Sequence, residues 1–146
     1  MCNYDYDAPR VYSDSVRKAR KTHKCSECFR LINIGESYKY IFGIYGKDTS
    51  QFKTCSHCSE AQSWLFFTCG SFLHGDLQKE IHEHATESMN KTEKFMLYRL
   101  YLGIKKQWRR KNGSLMKIID TSGYQKIRGQ LTGPMILTIN EKDIYK

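Results

Sequence analysis

The sequence predicts an α+β protein organised around one metal ion, and three observations carry that prediction. Cys25, Cys28, Cys55 and Cys58 form two Cys-x-x-Cys pairs with 26 residues between them. Residues 37–45 alternate, with Tyr38, Tyr40, Phe42 and Ile44 on one face and Lys39, Ile41, Gly43 and Tyr45 on the other, as a strand requires. Residues 92–111 repeat apolar side chains at helical spacing.

The elements follow in order. Residues 1–24 read as a basic, extended N-terminal arm with room for one helical turn, charged at Arg17-Lys18-Ala19-Arg20-Lys21 and leading through His23 into the first cysteine pair. The four-cysteine module spans 25–70. Its first knuckle, 25–36, leaves through Gly35-Glu36, and Gly46-Lys47-Asp48 then turns the 37–45 strand back toward Gln51-Phe52-Lys53-Thr54 as a β-hairpin. The hairpin runs straight into Cys55, and Glu60, Ala61, Trp64, Leu65 and Phe66 suit a helix carrying the second pair in its first turn. Its N-terminal partial positive charge suits thiolates. Knuckle, hairpin and helix in that order make a treble-clef or zinc-ribbon-like module.

Residues 71–112 form a helical segment. One helix covers about 75–86 with Leu77, Ile81 and Ala85 inward, residues 88–90 break it, and a longer helix runs 92–111, capped near Asn90 or Thr92 and stopped by Asn112-Gly113. Phe95, Leu97, Tyr98, Tyr101, Leu102, Ile104 and Trp108 give that helix a wide apolar face, with Trp108 and Tyr101 read as core. Residues 113–146, with β-like runs at 115–119 and 135–139 between glycines, read as a C-terminal β-hairpin or small sheet.

Two residues between paired thiols aim both sulfurs at one tetrahedral centre, and a second such pair closes an all-thiolate shell, so the expected cofactor is one structural Zn²⁺ on Cys25, Cys28, Cys55 and Cys58. Redox pairs and a four-thiolate iron site fit the spacing less well, because nothing else in the chain serves electron transfer. Cys2 and Cys69 read as ordinary thiols. His23 and His57 flank complete cysteine pairs and take supporting positions. His74, His82 and His84 with Glu80 and Glu83 lack His-Glu-x-x-His geometry, since His82 and His84 sit two apart on a helix.

At 146 residues and 17.2 kDa the chain has no room for a large enzyme. Its metal-bearing half is short of aliphatic side chains, a deficit that zinc can fill with on the order of 10–16 kcal/mol of metal-linked folding free energy. No catalytic fingerprint is present, including the strand Asp-His or His-His pair and helical Asn and His of a His-Asn-His nuclease, so the expectation is a protein without enzymatic activity. The polar start, without a secretory n-region and h-region, points to an intracellular location, and the longest apolar run, Trp64-Leu65-Phe66-Phe67, is too short for a membrane span.

The formal net charge is +9. Four thiolates around one divalent cation carry about −2, which leaves about +7. The positive charge concentrates at Arg17, Lys18, Arg20, Lys21 and Lys24 and again at Lys105, Lys106, Arg109, Arg110 and Lys111, whereas residues 76–87 are mainly acidic. Such segregation suits an anionic partner, DNA or RNA first; solvated helix faces and charge compensation beside thiolates give the same composition.

Residues 12–58 also hold the pattern A-R-K-x-H-x-C-x-E-C at Ala19 to Cys28, I-x-x-G-E-x-Y at Ile32 to Tyr38, and F-x-T-C-x-x-C at Phe52 to Cys58. In this the chain resembles a group of four-cysteine proteins encoded by bacteriophages and prophages. The resemblance is close over the first third, loose through Phe72, Gly75, Leu77 and Glu83-His84, and ends at Ala85. It implies a zinc-binding protein acting in the cytoplasm of a bacterial host, and it brings no activity with it. Its viral setting leaves two kinds of partner: nucleic acid, or a host protein or nucleoprotein complex of defence or transcription.

Overall fold

The computed structural model describes residues 11–45, 47–70 and 72–124. Within them the chain is α+β: two antiparallel sheets, three helices, and the four cysteines gathered where a hairpin meets a helix start. The expected turn residue Gly46, the strand at 135–139, the remainder of the C-terminal β element and Cys2 lie outside the described residues.

The stretch read as an arm contributes a strand. β1 (Val11–Lys18) pairs antiparallel with β4 (Ser37–Tyr45), which pairs with β5 (Asp48–Cys55), giving the order β1-β4-β5. The two-residue strands β2 (His23–Lys24) and β3 (Leu31–Ile32) form the knuckle's own ladder. On β4 the face bearing Lys39, Ile41 and Gly43 is the buried one. Lys39 is tolerated there because its ammonium lies 3.4 Å from the Asp14 carboxylate, diagonally across the β1–β4 ladder.

Helix α1 (Ser56–Cys69) follows β5 without a linker. It is covered on nearly all sides: Ala61, Gln62, Ser63, Trp64, Leu65 and Phe67 are buried, and Phe66 alone among its large apolar side chains is exposed. Helices α2 (Leu77–Glu87) and α3 (Lys91–Lys105) pack on each other through Leu77, Ile81 and Ala85 on one side and Met96, Leu97, Leu100 and Ile104 on the other. Asn90 caps α3 by accepting from the N–H groups of Thr92 and Glu93 at 2.9 and 3.0 Å. The buried stripe of α3 passes through 93, 96, 97, 100 and 104, which leaves Phe95 and Leu102, expected on the apolar face, exposed.

The long helix expected at 92–111 ends at Lys105. Gln107 and Trp108 both take positive φ, 56° and 57°, and the Trp108 N–H donates to the Gly103 carbonyl at 2.7 Å. That turn folds Trp108 back beneath the helix, where it is fully buried, so its place in the core is as expected although its backbone is not helical. The chain then closes a tight turn from Arg110 to Ser114 with an isolated bridge between Arg109 and Leu115. The strand expected at 115–119 does not form; this stretch is irregular and is held to α1 by side chains. Met116 O accepts from His57, Thr121 donates to Glu60 from its N–H and hydroxyl at 3.0 and 2.8 Å, and Trp64 donates to Tyr124 O.

Gly103 makes the turn at Trp108 possible, because a Cβ there would overlap the six-membered ring of the tryptophan. Gly103→Ala is expected to lower stability by about 1–3 kcal/mol, the usual cost of overpacking a closed core, read as a reduced thermal midpoint with an unchanged fluorescence spectrum of the unfolded chain.

Candidate metal centre

Three parts of the chain converge on the cysteines. The knuckle places Cys25 and Cys28 by a loop in which the Cys25 N–H donates to Arg30 O at 2.9 Å and the Phe29 N–H to Cys25 O at 3.1 Å. The end of β5 places Cys55, which is also the N-cap of α1, and the first turn of α1 places Cys58. The knuckle and β5 are tied by the Ser26 N–H to Lys53 O at 2.8 Å and the Lys53 N–H to Ser26 Oγ at 3.1 Å.

The four sulfurs lie within 4.8 Å of one another, and none of the four residues is more than 3% exposed. A tetrahedral ion with sulfur at about 2.3 Å sets its ligands about 3.8 Å apart; Cys28 Sγ and Cys55 Sγ are separated by 3.8 Å. The four cysteines are thus positioned to bind one metal ion. The proton balance agrees. Hydrogen bonds from Cys28, Cys55 and Cys58 drive the Cys25 pKa far down, and, against the opposing bond from Cys25, those from Cys28 and Cys58 bring Cys55 down, while bonding to Cys25 pushes Cys28 up and burial pushes Cys58 up. Crowded thiols in a dry pocket oppose one another's ionisation; a divalent cation lets all four ionise.

N–H groups point at the sulfurs. Glu27 N–H and Cys55 N–H each lie 3.4 Å from Cys25 Sγ, and the Trp108 indole N–H lies 3.3 Å from Cys58 Sγ. Such donors delocalise thiolate charge and orient the ligands. Around them stands a polar ring that sequence reading missed. Arg30, its side chain 2% exposed, pairs with Glu36 at 3.1 Å. Burial opposes its charge, but the bond to Glu36 and the nearby Cys55 hold its pKa above the ordinary value. Burial likewise works against ionisation of Glu36, yet Arg30, the Asn33 N–H and the charge of Arg109 keep its pKa below normal.

His57 is buried beside this pair, its Nε2 2.6 Å from Met116 O and its Nδ1 3.4 Å from Arg30 Nη2. A carbonyl only accepts, so Nε2 carries the proton and Nδ1 accepts from Arg30. The ring is neutral, and burial lowers its pKa, with the Arg30 charge acting in the same direction. Glu27, between the two knuckle cysteines, is also buried. Its Oε1 accepts from the Gly75 N–H at 2.6 Å and Gln62 at 3.3 Å, and its Oε2 from the Leu77 N–H at 3.2 Å. The knuckle therefore caps α2, whose own N-cap Asp76 makes no side-chain cap bond. Burial raises the Glu27 pKa to about 7 against the pull of those N–H donors.

The basic residues singled out by sequence fall into separate places. Arg17, Lys18, Arg20 and Lys21 line one cleft of about 810 Å³ with His23 and Tyr38. Lys24 lies elsewhere, its ammonium 5.4 Å from the centre of the Phe29 ring. Lys105, Lys106, Arg110 and Lys111 are exposed at the end of α3 and in the following turn, and half-buried Arg109 donates to Gly113 O. The remaining histidines point apart: His74 stacks on Phe52, His82 lies tilted against Tyr101, and His84 meets Trp64 and the Cys69 sulfur. Cys69, read as an ordinary thiol, is disulfide-bonded.

No protein-family model matches the chain, and no curated protein or solved structure matches it either. The resemblance to phage-encoded proteins therefore rests on the motif residues alone. No described helix is long and apolar enough to cross a membrane.

Two outcomes are expected. Cys25→Ser and Cys55→Ser should each abolish stoichiometric metal binding, and chelation should unfold the wild type, as read by elemental analysis and far-UV circular dichroism. The second concerns His74, whose pKa burial and the Lys39 charge lower to about 4. Its contribution to stability is complete above its unfolded pKa near 6.5 and is lost as pH falls toward 4. His74→Phe keeps the stack on Phe52, and should therefore reduce the acid sensitivity between those pH values by up to roughly 3 kcal/mol in metal-saturated urea titrations.

Proposed function

We propose that this chain is a zinc-stabilised, non-enzymatic accessory protein of phage origin that binds nucleic acid through its basic surfaces. The ion would be structural Zn²⁺, because four closed, buried thiolates leave no position for substrate. The observation that carries the reading is the cleft beside the knuckle, where Arg17, Lys18, Arg20 and Lys21 converge with Tyr38 on one concave surface. Four cations facing one cleft repel one another, and an anionic polymer relieves that repulsion by exchanging its condensed counterions for them. The Arg17 guanidinium lies 3.9 Å from the centre of the Tyr40 ring, which holds one of these cations in a fixed place.

A rival reading is a protein-binding inhibitor of a bacterial defence complex, of the anti-CRISPR or anti-restriction type, or of a transcription complex. Phe95 and Leu102, exposed one above the other on α3 at a spacing of seven residues, favour it.

Binding to generic DNA and RNA across a salt series separates the two. The nucleic-acid reading expects log K to fall linearly with log salt, and Arg20→Glu with Lys21→Glu to weaken binding and flatten the slope by about 0.7–0.9 for each phosphate left without its cation. Binding to neither polymer, with a host complex recovered equally from nuclease-treated and untreated lysates, would establish the rival.

A further inference from the structure

The knuckle is strained at a position where strain is avoidable. Phe29, directly after the second cysteine, has φ 66°, a conformation that glycine adopts freely and that any Cβ resists. The loop needs that conformation to close, since the Phe29 N–H bonds to Cys25 O and the Cys25 N–H to Arg30 O. It does not need a phenyl ring. The ring recovers little by burial, because Phe29 is 57% exposed. A large aromatic held in solvent on a strained backbone is a candidate for recognition.

Its surroundings indicate what it would recognise. The Lys24 ammonium lies over the ring, 5.4 Å from its centre, and Lys24 is the ladder partner of exposed Leu31 in the β2–β3 hairpin. On the chain leading into β2 stand exposed Arg20 and Lys21, which belong to the basic cleft. An exposed aromatic ring with one cation at it, on a short hairpin that the chain enters from a basic cleft, matches the repeat of a single-stranded nucleic acid, in which each base offers a flat π-surface and each linkage an anionic phosphate. A duplex hides those base faces in its own stack, so a ring of this kind can act only on an unpaired base.

We propose that Phe29 is a stacking platform for an unpaired nucleobase, with Lys24 taking the adjoining phosphate and the cleft of Arg20 and Lys21 taking the strand further along, so that the protein prefers single-stranded DNA or RNA to duplex. The proposal rests on the nucleic-acid reading above and names its ligand class. Unlike a core aromatic, this one can be removed with relief of strain.

The test is fluorescence anisotropy of the zinc-loaded full chain with a labelled mixed-sequence single strand, its duplex, and an abasic strand of equal length. The wild type should bind the single strand more tightly than either the duplex or the abasic strand. Phe29→Gly should keep its metal, melt at an equal or higher temperature, and lose about tenfold on the single strand alone, the effect of one stacked base. Phe29→Trp should retain wild-type affinity. Equal wild-type affinity for normal and abasic strands would overturn the platform while leaving nucleic-acid binding standing, whatever the folding of the variants. Loss of a captured host protein from Phe29→Gly, with unchanged binding to the single strand, would assign the ring to a protein partner and overturn it too. Absence of binding to any strand or duplex would remove the underlying reading.

Discussion

The constraint on which this structure depends is the gathering of four thiols into a space without water. Net folding stability of a domain amounts to about 5–15 kcal/mol, and a structural zinc contributes on the order of 10–16 kcal/mol in small domains, so loss of such an ion would remove as much as the whole remaining margin. The segments that meet there are far apart in the chain: the knuckle, the junction of β5 with α1, and the turn after α3 that delivers Trp108 to Cys58. An ion held there would supplement the thin aliphatic layer of residues 25–58, and the cysteines are continuous with the apolar packing of α2 on α3.

The side chains next to the cysteines extend that anchorage outward. Glu27 reaches the first N–H groups of α2, Arg30 holds Glu36 at the knuckle exit, and His57 holds the carbonyl of Met116. A carboxylate kept from water and surrounded by N–H donors is stable only while those donors stay in place. Displacing the knuckle would therefore strand the start of α2 and take from His57, which holds the tail at Met116, its Arg30 partner, so metal site, helix pair and tail are coupled.

Much of this was legible in the sequence, and the reasons differ by element. The metal ligands follow from spacing, because two residues between thiols leave few other geometries. The hairpin follows from strict alternation and α1 from the run of apolar residues after Cys58. The end of α3 was not legible: Trp108 continues the apolar stripe four residues after Ile104, and no glycine or proline announces the stop. Two consecutive left-handed residues end the helix because burying the indole against Cys58 outweighs their local cost. Glu27 capping a helix 50 residues later is likewise a long-range fact, invisible to any local pattern. At 115–119, β-branched and apolar residues suggested a strand, but the Met116 carbonyl is taken by His57 of α1 and its N–H by the Trp108 carbonyl instead.

Backbone strain of one kind occurs in two different surroundings. Among the described residues three without a glycine's freedom have positive φ: Phe29, Gln107 and Trp108. All three lie close in sequence or space to the cysteines. Gln107 and Trp108 act together to seat a tryptophan that is fully buried and hydrogen-bonded to a ligand sulfur, so their cost is offset within the fold. Phe29 has the same backbone and the opposite surroundings, with more than half its surface in solvent and a lysine beside its ring. Local conflicts that the fold does not compensate belong to positions where some other requirement governs the residue. The knuckle therefore sets two adjacent residues in opposite surroundings: Cys28 lies in the interior with the other three thiols, and Phe29 faces outward from them on the backbone of the same loop.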